Sequence, residues 1–406
     1  MMNKVALIMG RGIEGCGVTK FTLEQHHWLK ANGYDSTIYA SKDKSWSRKK
    51  SHNTNDITQL KFGKSEELKP IISACNDCDL IIVESLPPIS VPENVLEGFK
   101  EFLKEVTKPI VLIQHDHSSL SIKRNGCLDE AIKRANVIFA HSETNDFANY
   151  AKTVLGIGGL SGFFDDEEET ADILTFQPGM CFDSNKHWLD LSEQDAKHHK
   201  WIGRTTSWKG YKQMFEFHEK YLMPNGYLTT MEGIERSPAY LDFRNLTEFN
   251  DHVATGKDIR DVDLQSAHGE LVHVFGPYIQ NEMLQRMSRV GFGYQLSILK
   301  PEFIYRSIEY THCELVCAGT IPVFRKLYGE RCTHRATGKK LIDHDNTGTI
   351  WLNEDNMQET LDEINTVCND EATRKLYREN AYEFYRSHQD SKYTFKEMMN
   401  KIIERV

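Results

Sequence analysis

No apolar run in this chain approaches the roughly 20 residues that a membrane-crossing helix requires. The N-terminus enters a strand pattern at once, Val5–Met9, rather than the basic-then-apolar pattern of a signal peptide, so neither export nor a membrane partner is expected. Positive charge is also in short supply. Against 59 Asp and Glu stand 49 Lys and Arg, a formal charge of −10. A field of that sign repels nucleic acid, so any DNA contact has to come from a local patch. Nine cysteines are an odd number, scattered along the chain, which argues for free thiols in a reducing cytoplasm. Cys75 and Cys78 form one CxxC, but no second pair at zinc spacing accompanies it. Internal repeats and low-complexity segments are absent too. What remains is the composition of a soluble globular protein whose 406 residues suit two cores better than one.

Strand-like and helix-like segments alternate through both halves. Val5–Met9, Thr37–Ala40, Leu80–Val83, Ile110–Gln114, Val137–Ala140 and Leu174–Phe176 are apolar or β-branched runs of strand length. Between them, Val18–Ala31, Pro92–Glu105, Asn125–Ala135 and Thr144–Val154 carry helical patterns, with Pro92 suited to a first helical position. Such alternation predicts an α/β fold with parallel sheets covered on both faces. The polar, His-containing stretch after residue 180 reads as a linker. The second half restarts with strands at Trp201–Arg204, Gly226–Met231, Leu271–Phe275, Gly291–Leu296, Ile321–Phe324 and Thr349–Leu352. Two final helices, Glu371 to about Ser387 and Lys392 to Ile403, have no strand after them. The predicted domains are 1–180, a linker 181–200, 201–385, and a terminal helix 386–406.

Three loops carry chemistry. The first strand runs into Gly10-Arg11-Gly12-Ile13-Glu14-Gly15-Cys16-Gly17, where glycines let backbone N–H groups point at a ligand and a helix start favours an anion. A dinucleotide enzyme has the same turn, but it wants an acid after the second strand, and that strand ends Tyr39-Ala40-Ser41. Glu14 has no packing reason to stand in such a turn, which makes it a candidate acceptor or donor contact. After the fourth apolar strand comes Gln114-His115-Asp116-His117, at the strand end where open α/β sheets bind ligands. His-x-His alone does not make a metal site, since no third and fourth ligand stands at fitting spacing. In the second half, Arg204 and Lys209 flank a turn of small hydroxyl residues that leads into a helix. A guanidinium fork and an ammonium there can meet a diphosphate and take a metal's part in stabilising leaving-group charge. Cations at a helix start otherwise oppose the macrodipole.

Glu232 and Gly233 follow a strand, and Tyr278 lies in a turn after another, so each is a candidate nucleotide contact. Phe275, beside it, fits core packing as well as ligand contact. Lys42, Lys44, Arg48, Lys49 and Lys50, interleaved with Trp46, form the one concentrated basic run. It reads either as a solvated loop or as a DNA-binding patch. Asp165–Glu169 reads as an exposed acidic loop.

Glu309 and Glu314 precede Gly319-Thr320-Ile321-Pro322-Val323. Thr311 and Glu314 have capping-box spacing, so Glu314 either closes a helix turn or grips a ligand. Residues five apart on one helix diverge by roughly 140°, so the two acids converge only if Glu309 lies ahead of the helix.

The Glu314-x4-Gly319-Thr320-x-Pro322-Val323 pattern resembles the nucleotide-sugar signature of retaining glycosyltransferases with two Rossmann-like domains. The family's earlier Glu stands eight residues before the later one; here that position is Arg306. Longer strings resemble the DNA α-glucosyltransferases of T-even bacteriophages across essentially the whole chain: RGIEGCGVTKF, QHDHS, KRANVIFAHS, WIGRTTSWKG, MEGIERSPA, MLQRMSRVGFGYQLS and SIEYTH with GTIPVF. The match is weakest over 40–70 and 240–270.

That resemblance implies a GT-B fold, two Rossmann-like domains facing each other across a cleft, with the C-terminal helix crossing back to the first. It implies transfer of a sugar, glucose first and a pentose such as arabinose second, from a UDP-sugar to 5-hydroxymethylcytosine in double-stranded DNA, with retention. Arg204 and Lys209 would bind the diphosphate, Glu314 the ribose and Glu309 the donor sugar, with Gly15, Gly17, Glu232, Gly233 and Tyr278 around them. His115 and Asp116 would lie between sugar and acceptor, and Glu14, His117, Lys44, Arg48, Lys49, Lys50, Lys123 and Arg124, with Arg11, on the DNA side. A buried base has to leave the stack to be modified. No cofactor or metal is implied beyond the UDP-sugar co-substrate. The partners are modified duplex DNA and, as a further candidate, the phage sliding clamp; the setting is the cytoplasm of an infected bacterium, and the outcome is a genome shielded from host nucleases. The same fold acting on a cell-envelope acceptor, or a non-catalytic DNA- or clamp-binding protein, are the alternatives.

Overall fold

The computed structural model describes residues 2–13, 17–42, 55–115, 122–141, 146–156, 172–203, 209–232, 263–265, 271–275, 280–297 and 309–406. The chain divides into two compact units. The first comprises Met1–Gly179, Phe303–Ser307 and Ser391–Val406, and the second Met180–Glu302 and Ile308–Asp390.

The first unit is built on a seven-stranded sheet. Its strands are β1 (Lys4–Met9), β2 (Asp35–Ser41), β3 (Ile57–Leu60), β4 (Leu80–Ser85), β5 (Ile110–Ile113), β6 (Val137–Ala140) and β7 (Asp172–Thr175). They run in the order β3-β2-β1-β4-β5-β6-β7, every neighbour parallel. The continuous apolar runs of β1, β4 and β5 follow from burial on both faces. Helices α1 (Gly17–Ala31), α2 (Ser65–Asn76), α3 (Glu93–Glu105), α4 (Leu128–Arg134) and α5 (Asp146–Val154) connect them. In α3, Val95, Phe99, Phe102 and Leu103 recur at helical spacing and turn one face into the core. Pro92 is the N-cap of α3, one place earlier than its helix propensity suggested. Strand order reverses between β1 and β4, and at such a switch point the carboxyl ends of the strands leave a crevice for ligands.

The second unit repeats the plan. Strands β8 (Asp195–Ile202), β9 (Leu228–Glu232), β10 (Asp263–Gln265), β11 (Leu271–Phe275), β12 (Val290–Gln295), β13 (Ile321–Arg325) and β14 (Ile350–Leu352) lie in the order β10-β11-β9-β8-β12-β13-β14. Only the pair of β10 with β11 is antiparallel among the described strands. Helices α6 (Tyr211–Phe217), α7 (Gln280–Met287), α8 (Tyr310–Cys317), α9 (Lys326–Arg331), α10 (Met357–Asn369) and α11 (Glu371–Gln389) complete it. Asp370 caps α11 by accepting from the backbone N–H groups of Ala372 and Thr373.

Strand β8 begins at Asp195, inside the stretch read as linker. Its first residues are polar because they are partly exposed; only from His199 onward is it buried on both faces. After Asp390 the last helix, α12 (Ser391–Ile403), belongs to the first unit. It buries Phe395, Met398, Met399 and Ile402, with the Phe395 ring edge-on to Phe21 of α1 at 5.2 Å. Lys401 Nζ donates to the Thr175 carbonyl at 3.4 Å.

Candidate active site

In the second unit, Lys209 stands just before α6 and is placed there by Gly210. Gly210 has φ +72°, and a Cβ on it would overlap the Leu296 carbonyl. Only glycine lets the turn close onto the end of β12. The Lys209 ammonium forms an ion pair with Glu309, 100 residues away. Its side chain is 12% exposed and that of Glu309 31%. Gln295, the last residue of β12, donates to Glu309 Oε2 at 2.8 Å, and the Tyr328 hydroxyl of α9 donates a longer bond to Oε1 at 3.4 Å. Burial would push the Glu309 carboxyl up, but Lys209 and then His312 outweigh it, with the hydrogen bond from Lys209, and hold it below the usual carboxylate range.

Glu309 is itself the N-cap of α8, extended at φ −71°, ψ 155°, with no side-chain bond to its own helix. Its carbonyl accepts from His312 N at 3.0 Å, which starts the helix ahead of Thr311. The Thr311–Glu314 capping box therefore does not form. Glu314 lies inside α8 and is 4% exposed. Helix α8 ends at Gly319, which takes φ +78° while its N–H donates to the Val316 carbonyl. The fully buried His312 packs against Phe324 and Tyr328 at 4.3 and 4.6 Å, and burial lowers its pKa to about 3.

A second cluster occupies the carboxyl ends of β1, β4, β5 and β6 in the first unit. His115 Nε2 lies 3.2 Å from Glu84 Oε2. The Phe21 ring meets His115 edge-on at 4.7 Å, with Phe176 at 5.5 Å and His141 at 6.3 Å. Glu84 is completely buried, which raises its pKa well above the carboxylate range. Burial, then His141 and Arg11, lowers His115 well below the usual imidazole value. These shifts put the shared proton on Glu84, which donates to Nε2. The pair is neutral overall and holds one proton. Gly10 lets β1 approach, since a Cβ there would lie 2.7 Å from the Ser85 carbonyl. Arg11 follows, with Nη2 donating to Asn125 Oδ1 at 2.8 Å. Asn125 directly follows Lys123 and Arg124, both exposed in the turn before α4.

Glu84, Gln295 and Tyr328 were missed by sequence reasoning. Glu84 had a signal: a carboxylate closing the apolar run Leu80-Ile81-Ile82-Val83 at the functional end of a parallel strand. Gly17 is the exposed first residue of α1, and Glu232 the last of β9. Glu14, Gly15, Lys44, Arg48, Lys49, Lys50, Asp116, His117, Arg204, Gly233 and Tyr278 lie outside the described residues, as does Asp165–Glu169. Among the described residues no group of three or more His, Cys, Asp or Glu side chains is arranged to hold a metal ion, and no helix is long and apolar enough to cross a membrane.

The profile of the DNA alpha-glucosyltransferase family matches residues 16–372. The DNA alpha-glucosyltransferase of Enterobacteria phage T4 is 41% identical over 98% of this chain and 99% of its own. A solved alpha-glucosyltransferase in complex with UDP superimposes with a TM-score of 0.87 at 39% identity, over 99% of this chain and 100% of that one. Another, in complex with UDP-glucose and DNA containing an abasic site, gives 0.86 at 38%, over 98% and 99%. The two Rossmann-like units are those of the GT-B class, and the chain belongs to the DNA alpha-glucosyltransferase family.

Proposed function

We propose that this chain transfers glucose from UDP-glucose to the hydroxymethyl group of 5-hydroxymethylcytosine in double-stranded DNA, with retention at the anomeric carbon. The observation that carries this reading is the near-full-length match to the phage T4 enzyme. A relative of the same fold holding UDP-glucose and DNA together supports it.

In this reading Lys209, with Arg204, meets the diphosphate, Glu314 the ribose and Glu309 the glucose hydroxyls. His115 and Asp116 take the acceptor side, with Glu84 hydrogen-bonded to His115. Attack on the face from which the phosphate departs retains configuration. The bond from C1 to the phosphate oxygen breaks, the bond from C1 to the hydroxymethyl oxygen forms, and the hydroxyl proton passes to the leaving phosphate. The Arg204 and Lys209 charges stabilise the charge that grows there, so the reaction is proposed to run without a metal. The basic run Lys42–Lys50, with Arg11, Lys123 and Arg124, holds DNA phosphates while the base is flipped. The product would shield phage DNA from host nucleases in the infected cell's cytoplasm, with the sliding clamp the candidate protein partner.

The test is to incubate the pure protein with hydroxymethylated duplex and several UDP-sugars, weigh the released nucleosides, and read the anomeric coupling by NMR. An α-glucosyl adduct formed from UDP-glucose is expected. Turnover on a lipid or glycan with none on DNA would favour a cell-envelope transferase. Failure to bind UDP in calorimetry would leave a non-catalytic DNA-binding protein.

A further inference from the structure

Gln295 is 1% exposed and ends β12. Its amide has one orientation that its surroundings permit. The Ser297 backbone N–H, which can only donate, lies 2.7 Å from one end of the amide, and the Ser297 hydroxyl is 2.9 Å from the same atom. That end is the carbonyl oxygen, so the NH₂ end faces Glu309 Oε2 at 2.8 Å. With its acceptor end anchored to backbone, the donor end cannot turn away without leaving buried polar groups unmet.

The groups around Glu309 differ in what a donor substrate does to them. Lys209 is a flexible cation that a diphosphate draws toward itself. Tyr328 reaches Glu309 only at 3.4 Å. Gln295 is neutral, short and fixed to the sheet. We propose that Gln295 is a positioning residue that holds the Glu309 carboxylate in place when Lys209 turns to the diphosphate, so that Glu309 meets the donor sugar in one geometry. This rests on the reading of Lys209 and Glu309 as donor-binding groups.

Gln295→Glu tests it with almost no change of shape. The new carboxylate keeps the Ser297 bonds and sets a second carboxylate oxygen about where the amide nitrogen stood. Two carboxylates so close do not both ionise, and they share a proton whose pKa is raised. Lys209, His312, Tyr328 and Cys332 are the other titratable groups nearby. His312 is held near 3 and burial pushes the Cys332 thiol up, so neither supplies a limb near neutrality.

The expected result, with UDP-glucose and hydroxymethylated duplex, is a Q295E pH profile with a descending limb the parent lacks. Above its midpoint kcat/KM falls about tenfold per pH unit, and it recovers as pH falls. Gln295→Leu loses kcat/KM at every pH, with UDP affinity measured alongside as a check on folding. A Q295E profile parallel to the parent's, whatever its height, overturns the inference. Glu309→Gln is assayed in parallel. Full activity in E309Q sinks the donor reading and this inference with it; lost activity in E309Q beside an unshifted Q295E profile sinks the inference alone.

Discussion

Replacing Lys209 by methionine removes one ammonium, keeps most of the aliphatic stem, and has two consequences that can be measured separately. The first is on stability. Glu309, half-buried, keeps Gln295 and Tyr328 but loses its cation. Leaving such a group under-satisfied costs about 1–3 kcal/mol, or roughly 2–4 °C of melting temperature per kcal/mol for a unit of this size. The sign with pH follows from Glu309, whose folded pKa lies below its ordinary 4.5. The stability the pair supplies is fully present above that ordinary value and is lost as pH falls through the folded one, so the K209M penalty should shrink in acid. The second consequence is on the chemical step, where removing one fixed donor from a developing anion costs about 2.7–4 kcal/mol, a factor of 10²–10³ in kcat. The double variant K209M/E309Q separates the two. Removing both charges should restore most of the melting temperature while kcat stays low. Thermal denaturation and single-turnover transfer to hydroxymethylated DNA read the two quantities. A K209M enzyme within about threefold of parental kcat, less than 1 kcal/mol of lost stabilisation, would refute the leaving-group role.

Gly210→Ala combines a positive φ with overlap against a backbone carbonyl that cannot swing aside. A cost of about 2–4 kcal/mol and a loss of transfer as Lys209 shifts are expected from denaturation and activity, and an unchanged melting temperature would contradict the turn geometry. Glu84→Gln addresses the one-proton pair with His115. Between the ordinary values of 4.5 and 6.5 the unfolded chain also carries one proton on these two groups, and above 6.5 it carries none. The parent should therefore lose stability as pH rises past 6.5, while the variant gains up to 6.5 and then levels. Urea midpoints at pH 5 and 8 should show E84Q gaining on the parent, and a constant gap would contradict the assignment. Neutralising Arg48, Lys49 and Lys50 should flatten the slope of log K for DNA against log salt by up to about 2.7. An unchanged slope would remove those three residues from the interface.

Much of the frame was legible because its strands are buried on both faces and so read as apolar runs between amphipathic helices. What escaped was polar. Strand β3, Ile57-Thr-Gln-Leu60, is an edge strand with two exposed residues, and the first half of β8 is half-solvated. The site was legible only where one loop held the signal. Lys209 announced itself as a cation at a helix start, and His115 by standing at a strand end. Glu84 carried only the weak signal of an acid closing an apolar strand, and its weight comes from being fully buried against His115, which that strand alone does not reveal. Gln295 and Tyr328 are unremarkable residues until β12, α8 and α9 converge on one carboxylate. A contact that links positions 209 and 309 is a property of sheet order, not of spacing along the chain.

The segment from Glu314 to Val323 shows how a motif divides between packing and chemistry. Gly319 is required by the helix stop and by Trp188, whose ring a Cβ would meet at 2.8 Å. The Thr320 hydroxyl donates to the Leu315 carbonyl at 3.0 Å, beside a longer bond at 3.3 Å from its own backbone N–H, so the residue closes the end of α8 twice. Pro322 stands opposite Gly293 on β12 and ahead of Val323, where pairing with β14 begins, so its missing N–H falls where the ladder is one-sided. Gly293 in turn leaves room for the Leu315 side chain. Each of these residues would be wanted by a protein that bound nothing. Glu314 is the exception. Helix α8 presents Leu315 and Val316 to the core and buries Glu314 beside them, where the proposed function gives it the ribose. The glycines and threonine identify the architecture, and the ligand role rests on Glu314 only through the proposed function. Glu309, which no packing rule places at that N-cap, joins it through Lys209 and Gln295 rather than through the motif.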